Sequence, residues 1–81
     1  MQLEIITPDK TLFEGTAKSV TLPGTVGSFQ ILENHAPIIS TLKNGKIKIV
    51  TDTDTQVVEI NSGVVECLKN KVIILAEPAK H

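Results

Sequence analysis

The chain has 81 residues, a formal net charge of −1, two phenylalanines and neither tryptophan nor tyrosine. That length holds one small domain, residues 1–81, and the charge and aromatic content argue against nucleic acid as a partner, since neither a basic surface nor base-stacking rings are available. The single cysteine, Cys67, rules out an internal disulfide, and no Cys/His set has structural-zinc spacing, so apolar packing alone must hold the core.

The N-terminal "MQLEIITPDK" lacks a basic region followed by a long apolar one, so it does not read as a signal peptide. No apolar run approaches the roughly 18 residues of a spanning helix, and a cytosolic or cytosol-facing chain is expected. Turn signals then recur at short intervals: Pro8-Asp9, Gly15, Pro23-Gly24, Gly27, Glu33-Asn34-His35, Asn44-Gly45, Asp52-Thr53-Asp54, Asn61-Ser62-Gly63 and Lys69-Asn70-Lys71. Short runs rich in Val, Ile and Thr lie between them, a rhythm that predicts an all-β sandwich or barrel. No window carries apolar residues at helical spacing with caps at both ends.

The strands show themselves by alternation. In "GKIKIVT", Lys46 and Lys48 fall on one face and Ile47 and Ile49 on the other; in "QVVEI", Val58 and Ile60 share a face. In "VVECL", Val64, Glu66 and Leu68 oppose Val65 and Cys67. Asn44-Gly45 predicts a type I′ hairpin pairing a strand near 38–42 with one near 46–51, because Asn-Gly best tolerates two successive positive φ angles. "DTDT" should link that strand to the next, and Asn70 should join the last two. "VIILA", residues 72–76, is apolar throughout, which predicts a central strand covered on both faces or covered by a partner.

Candidate chemistry is sparse. His35 invites a general-base reading with Ser28 or Ser40 as nucleophile and Glu33 as orienting group. It lies at a turn before Pro37, which forces Ala36 into extended geometry, so a backbone hydrogen bond or an interface role is expected instead. His81 stands at the end of the chain and is expected to lack fixed structure. "GTVG" lacks the Lys-Ser/Thr pair and following helix of a phosphate loop, and its glycines are expected to serve a tight turn. "TDTD" lacks the glycine and distal glutamate of an EF-hand, which leaves a solvated turn. The lysines of "LKNGKIKI" suit an outer strand face, and Cys67 suits a small apolar position. No catalytic set, metal cluster or cofactor site assembles from these residues. A sugar-binding sandwich would need aromatic platforms that the composition does not supply.

The segments "LEIITPDKTLFEG", "AKSVTLPGTVGSFQILENHAP", "LKNGKIKIV", "INSGVVEC" and "NKVIILAE" follow one another in an order and spacing that resembles the epsilon subunit of bacterial rotary ATP synthases, the counterpart of the mitochondrial delta subunit. The resemblance runs from residue 3 to residue 77. It implies a flattened β-sandwich of about ten short strands. It also implies a non-catalytic place at the foot of the central stalk, on the cytoplasmic face of the inner membrane. There the domain would meet the gamma subunit on one side and the polar loops of the membrane-embedded c-ring on another. By this resemblance Gly24, Thr25, Val26, Gly27, Ser28 and Phe29 would lie toward the c-ring. His35, Ala36, Pro37, Ile38 and Ser40 would lie against gamma. Gln30 and Glu33 stand where family members often have a glycine and a proline. Family members commonly continue into a C-terminal helical hairpin that inhibits hydrolysis and in some bacteria binds ATP. This chain reaches "LAEPAKH" just after the sandwich, so no hairpin, nucleotide site or other cofactor is expected in it. Some of Ile38, Ile39 and Val72 to Leu75 would be buried by gamma, with at least half of them filling the sandwich interior.

Overall fold

The Val-, Ile- and Thr-rich runs become strands because branched side chains pack well on a pleated surface. The structure, a computed structural model, describes residues 1–79. His81 lies outside the described residues. Eight strands form: β1 (Gln2–Ile6), β2 (Thr11–Thr16), β3 (Ser19–Pro23), β4 (Ser28–Leu32), β5 (Ile38–Leu42), β6 (Gly45–Val50), β7 (Thr55–Leu68) and β8 (Lys71–Pro78). Among the described residues there is no helix.

The all-β expectation holds, with fewer and longer strands than expected. Asn61-Ser62-Gly63, a turn signal in the sequence, does not turn. The chain runs through it as the single 14-residue strand β7. The strands order as β2-β1-β8-β7-β6-β3-β4, with β5 also on β7. The first half of β7, Thr55–Ile60, pairs with β6, while its second half, 62–68, lies between β5 and β8. One long strand therefore belongs to two layers, β4-β3-β6-β7 and β5-β7-β8-β1-β2. The inward residues of both form one core, with Leu3, Ile5, Val65, Val72 and Ile74 from the second layer and Val20, Leu22, Ile31, Ile47 and Ile49 from the first. Each of these is fully buried, and each such side chain contributes about 2 kcal/mol by leaving water.

The hairpin expected at Asn44-Gly45 is absent. Strand β5 pairs with β7, Ile38 opposite Cys67 through Leu42 opposite Gly63, and β6 pairs with β3 and β7. Gly45 serves a different need: a Cβ there would stand 2.8 Å from the Pro23 Cβ. The type I′ geometry occurs instead at Lys69-Asn70, with φ of 51° and 61°, which closes β7 onto β8. The "DTDT" turn forms as expected, with the Thr51 N–H donating to the Asp54 carbonyl at 2.9 Å and the Thr51 hydroxyl donating to the Asp54 carboxylate at 2.6 Å. Strand β8 is central, parallel to β1 and antiparallel to β7. Only one of its faces is covered: Val72, Ile74 and Ala76 are buried, Ile73 is half-buried, and Leu75 is 57% exposed.

The alternation called from the sequence is borne out along β6 and β7. Ile47, Ile49, Ile60, Val65 and Cys67 face the core, and Val58 packs against it. The inward parity of β7 changes from even positions to odd ones between Ile60 and Val65. A register irregularity between Ile60 and Ser62 makes the change, adding one residue opposite β8.

Two outcomes follow from the geometry of β7. At Gly63 a Cβ would lie 2.8 Å from the Leu75 carbonyl oxygen and 3.4 Å from the Ala76 Cα, both backbone atoms. Gly63→Val is expected to lower unfolding free energy by about 2–3 kcal/mol in urea titration, through overpacking. Deleting Asn61 would remove the added residue, and regular alternation from Ile60 would then still bring Val65 and Cys67 inward. A retained cooperative urea transition is the expected result, and a deletion variant without one would refute the parity account.

Candidate functional site

Two stretches singled out in the sequence, 24–29 and 35–40, meet at opposite ends of β5. The first is a loop with a fixed base and a bare tip. Gly24 is buried, bridges to Leu42, and accepts the Gly27 N–H at 3.1 Å. The Thr25 N–H donates to the Thr41 carbonyl at 3.1 Å, and the two threonine hydroxyls lie 2.9 Å apart. A Cβ at Gly24 would meet the Gly27 carbonyl oxygen at 2.6 Å and the Phe29 ring at 2.8 Å, so the close approach requires glycine. Gly27 has φ of 156°, a conformation side chains rarely adopt. Thr25, Val26, Gly27 and Ser28 are exposed, Val26 completely, while Phe29 packs against the core. Strand β4 follows the loop, so no helix dipole is aimed into it.

The second stretch begins in a turn. The His35 N–H donates to the Leu32 carbonyl at 3.2 Å, and Asn34 takes φ of 60°. The Asn34 N–H donates to the Asn70 side-chain oxygen at 2.8 Å, tying this turn to the β7–β8 turn. His35 Nδ1 lies 2.7 Å from the Ala36 carbonyl oxygen, which can only accept, so the imidazole donates to the backbone of the next residue, a backbone hydrogen bond as expected. Ala36 and Pro37 are exposed, and Ile38 and Ser40 are half-buried. The Ser40 hydroxyl donates to the Thr41 carbonyl at 3.4 Å.

This arrangement does not support nucleophilic catalysis. Neither Ser28 nor Ser40 hydrogen-bonds His35 among the described residues. Glu33, the sequence's candidate for orienting the imidazole, instead accepts from the Met1 ammonium at 3.2 Å. The Cys67 thiol donates weakly to the His35 carbonyl at 3.9 Å, and burial pushes its pKa up, which disfavours a thiolate nucleophile. Asp52, in the acidic "TDTD" stretch, pairs with Lys18 at 3.3 Å, and no group of possible metal ligands converges among the described residues.

What the structure brings together is a continuous edge. Strand β5 links the two stretches over about 13 Å, four residue steps at strand rise. Exposed aliphatic residues lie beside it: Ile39 at 72%, Leu68 at 50% and Val64 at 41%. Of the aliphatic run, Val72 and Ile74 fill the core and Ile38 packs on it, while Ile39 and Leu75 face outward. The sequence assigned Val64, Glu66 and Leu68 to one face, but which face meets water depends on the parity change in β7.

The full chain, residues 1–81, matches the family described as ATP synthase, Delta/Epsilon chain, beta-sandwich domain. An ATP synthase epsilon chain of Desulfatibacillum aliphaticivorans is 42% identical over 79 residues, covering 96% of this chain and 56% of that relative. One from Chlorobium limicola is 40% identical over 77 residues, covering 94% of this chain and 88% of the relative. A chain from the central stalk and c-ring structure of the Tetrahymena thermophila mitochondrial ATP synthase superposes with a TM-score of 0.81 at 17% identity, over 94% of this chain and 62% of that one, a likeness of fold. The chain belongs to the delta/epsilon family of ATP synthase subunits and carries that family's β-sandwich domain.

Proposed function

We propose that the chain is a non-catalytic rotor subunit of a proton-translocating ATP synthase, set in the central stalk between the gamma subunit and the c-ring. The observation that carries this is the family match over the entire chain, and the strong identity to epsilon chains supports it. The domain sits at the cytoplasmic face of the bacterial inner membrane and is held there through the complex. Its work is mechanical: proton flow turns the ring, and the sandwich helps keep ring and gamma in register while catalysis happens on other subunits.

The geometry suits that work. A close-packed interior resists deformation, so a force on one rim reaches the other with little loss. The loop Gly24–Phe29 faces the polar loops of the c-ring with Thr25, Val26 and Ser28, and the Thr41 contacts hold its base against shear. His35, Ala36, Pro37, Ile38 and Ser40 face gamma. Their turn is tied to Asn70 and Cys67, so it presents a fixed shape. Preorganisation of this kind lowers the ordering cost of association.

Two measurements check the assignment. Ser28→Arg adds a bulky charge at the exposed loop beside the ring. In membrane vesicles carrying the assembled complex, ATP-driven proton pumping is expected to fall relative to ATP hydrolysis. Full coupling in that variant and in Val26→Arg would remove the loop from the ring contact. His35→Ala breaks the ring-to-Ala36 hydrogen bond that orients the turn. The isolated chain is expected to keep its β-sheet circular dichroism and bind gamma about tenfold more weakly, equivalent to about 1.4 kcal/mol. Affinity equal to wild type would reject the interface role of His35. Failure of the wild-type chain to co-elute with gamma in gel filtration would reject the rotor function and favour a free-standing binding module.

A further inference from the structure

The turn that carries His35 crosses between layers, because β4 ends in the first and β5 begins in the second. A crossing segment has no sheet ladder of its own, so its shape depends on what its few polar groups meet. The His35 N–H closes the turn on the Leu32 carbonyl, and His35 Nδ1 meets the Ala36 carbonyl, but neither bond reaches beyond the turn and its flank. Among the described residues, the polar contacts that tie residues 33–37 to distant parts of the chain come from Met1, Cys67 and Asn70. The Met1 ammonium reaches a Glu33 side chain that is 57% exposed, and the Cys67 thiol is a weak donor at 3.9 Å. The Asn70 side-chain oxygen accepts the Asn34 N–H at 2.8 Å, a short bond to the backbone of the turn itself.

Asn70 does this from the second left-handed position of the β7–β8 turn. Its φ is 61°, a conformation that glycine and asparagine tolerate best, and its own carbonyl accepts the Gln2 N–H at 3.1 Å. An asparagine in a turn commonly bonds its own nearby backbone. Here the side-chain oxygen spans 36 positions of sequence instead. One residue thus joins three segments: its backbone shapes the β7–β8 turn, its carbonyl holds the start of β1, and its side chain holds the His35 turn.

We infer that Asn70 is the positioning residue for the His35–Ser40 contact, its side-chain oxygen setting the orientation in which that turn meets gamma. Asn70 acts through Asn34 and not by touching gamma. The inference rests on the gamma contact proposed above and adds the residue that shapes it. The two roles of Asn70 separate chemically. Its backbone role needs a residue that accepts positive φ, which glycine supplies. Its positioning role needs a side-chain acceptor, which glycine lacks and aspartate keeps.

The test compares wild type, Asn70→Gly and Asn70→Asp by thermal melting, by hydrogen exchange at the Asn34 amide and by titration with the gamma subunit of the same organism. Asn70→Gly is expected to melt close to wild type. Its Asn34 amide is expected to exchange about fivefold faster and its gamma affinity to fall about fivefold, the scale of one net hydrogen bond. Asn70→Asp is expected to keep the amide protected and to bind gamma within about twofold of wild type, because the acceptor remains. Wild-type gamma affinity in Asn70→Gly, or an Asn34 amide that stays protected there, would overturn the positioning role and leave the rotor function standing. An equal loss of affinity in Asn70→Asp with the amide protected would overturn it too, since the acceptor would then not matter. A large fall in the melting temperature of Asn70→Gly alongside the lost affinity would assign Asn70 to fold maintenance and overturn the inference. Absence of binding by the wild-type chain would overturn the rotor function itself.

Discussion

The constraint on which this fold depends is the parity of β7. A strand that serves two layers around one core must direct its apolar side chains inward along its whole length. Side chains alternate with a period of two, so a uniform strand would point Val58, Ile60, Val64, Glu66 and Leu68 to the same side. That choice would bury a carboxylate, which is costly without a partner. The added residue between Ile60 and Ser62 shifts the second half by one place and brings Val65 and Cys67 inward. Gly63 then lets β7 press close to β8 and to Leu42 at the crossing. Which side chains β7 contributes to the outer faces follows from that one shift.

The same shift gives the two layers unlike surfaces. On the layer containing β6, Lys46 and Lys48 face outward, and Lys46 lies opposite Glu59. On the other layer one outward row carries Glu4, Glu14 and Glu66 among aliphatic residues, with Lys71 in the row beside it. A net charge of −1 thus conceals two faces with different balances of charge. The loop Gly24–Phe29 carries no charge and projects beside the lysine-bearing layer, where the Lys43 N–H donates to the Pro23 carbonyl at 2.9 Å. Surfaces that differ this much in charge favour different neighbours, and like-charge contact penalises an exchange of partners.

Much of this was legible in the residues. The all-β class followed from turn signals and branched runs, and the burial of Ile47, Ile49, Val65 and Cys67 followed from alternation. The backbone hydrogen bond of His35 followed from its place before Ala36-Pro37. What the sequence hid were choices decided by tertiary contacts. Asn44-Gly45 has the composition of a type I′ turn, but β5 finds its partner in the far half of β7, and the glycine is needed for the approach to Pro23. Asn61-Ser62-Gly63 has the composition of a turn, yet Gly63 provides close packing inside a strand. The turn at Lys69-Asn70 that joins the last two strands was legible, while the hydrogen bond from the Asn34 N–H to the Asn70 side chain was not. The parallel pairing of β1 with β8 joins the two ends of the described chain, and local pattern carries no signal for so distant a partner. The two candidate contact stretches were visible as motifs. Their junction through Thr25 and Thr41 was not, because a hydroxyl contact between residues 16 positions apart leaves no periodic trace.

That junction bears on how a small domain could carry force. A loop fixed only at its ends would bend under load and dissipate motion. Here the loop's base is bonded to the last residues of β5, and the first residues of β5 adjoin the His35 turn. Between them β5 is hydrogen-bonded along its length to β7, the strand shared by both layers. A displacement at the loop's base, Gly24 or Thr25, must therefore either break the bonds to β5 and its ladder or move the whole sandwich. Breaking several together requires the packed core to open as well, and the densely filled interior opposes that. Rigid-body motion is the cheaper response, and it is the response that a non-slipping link between two partners requires.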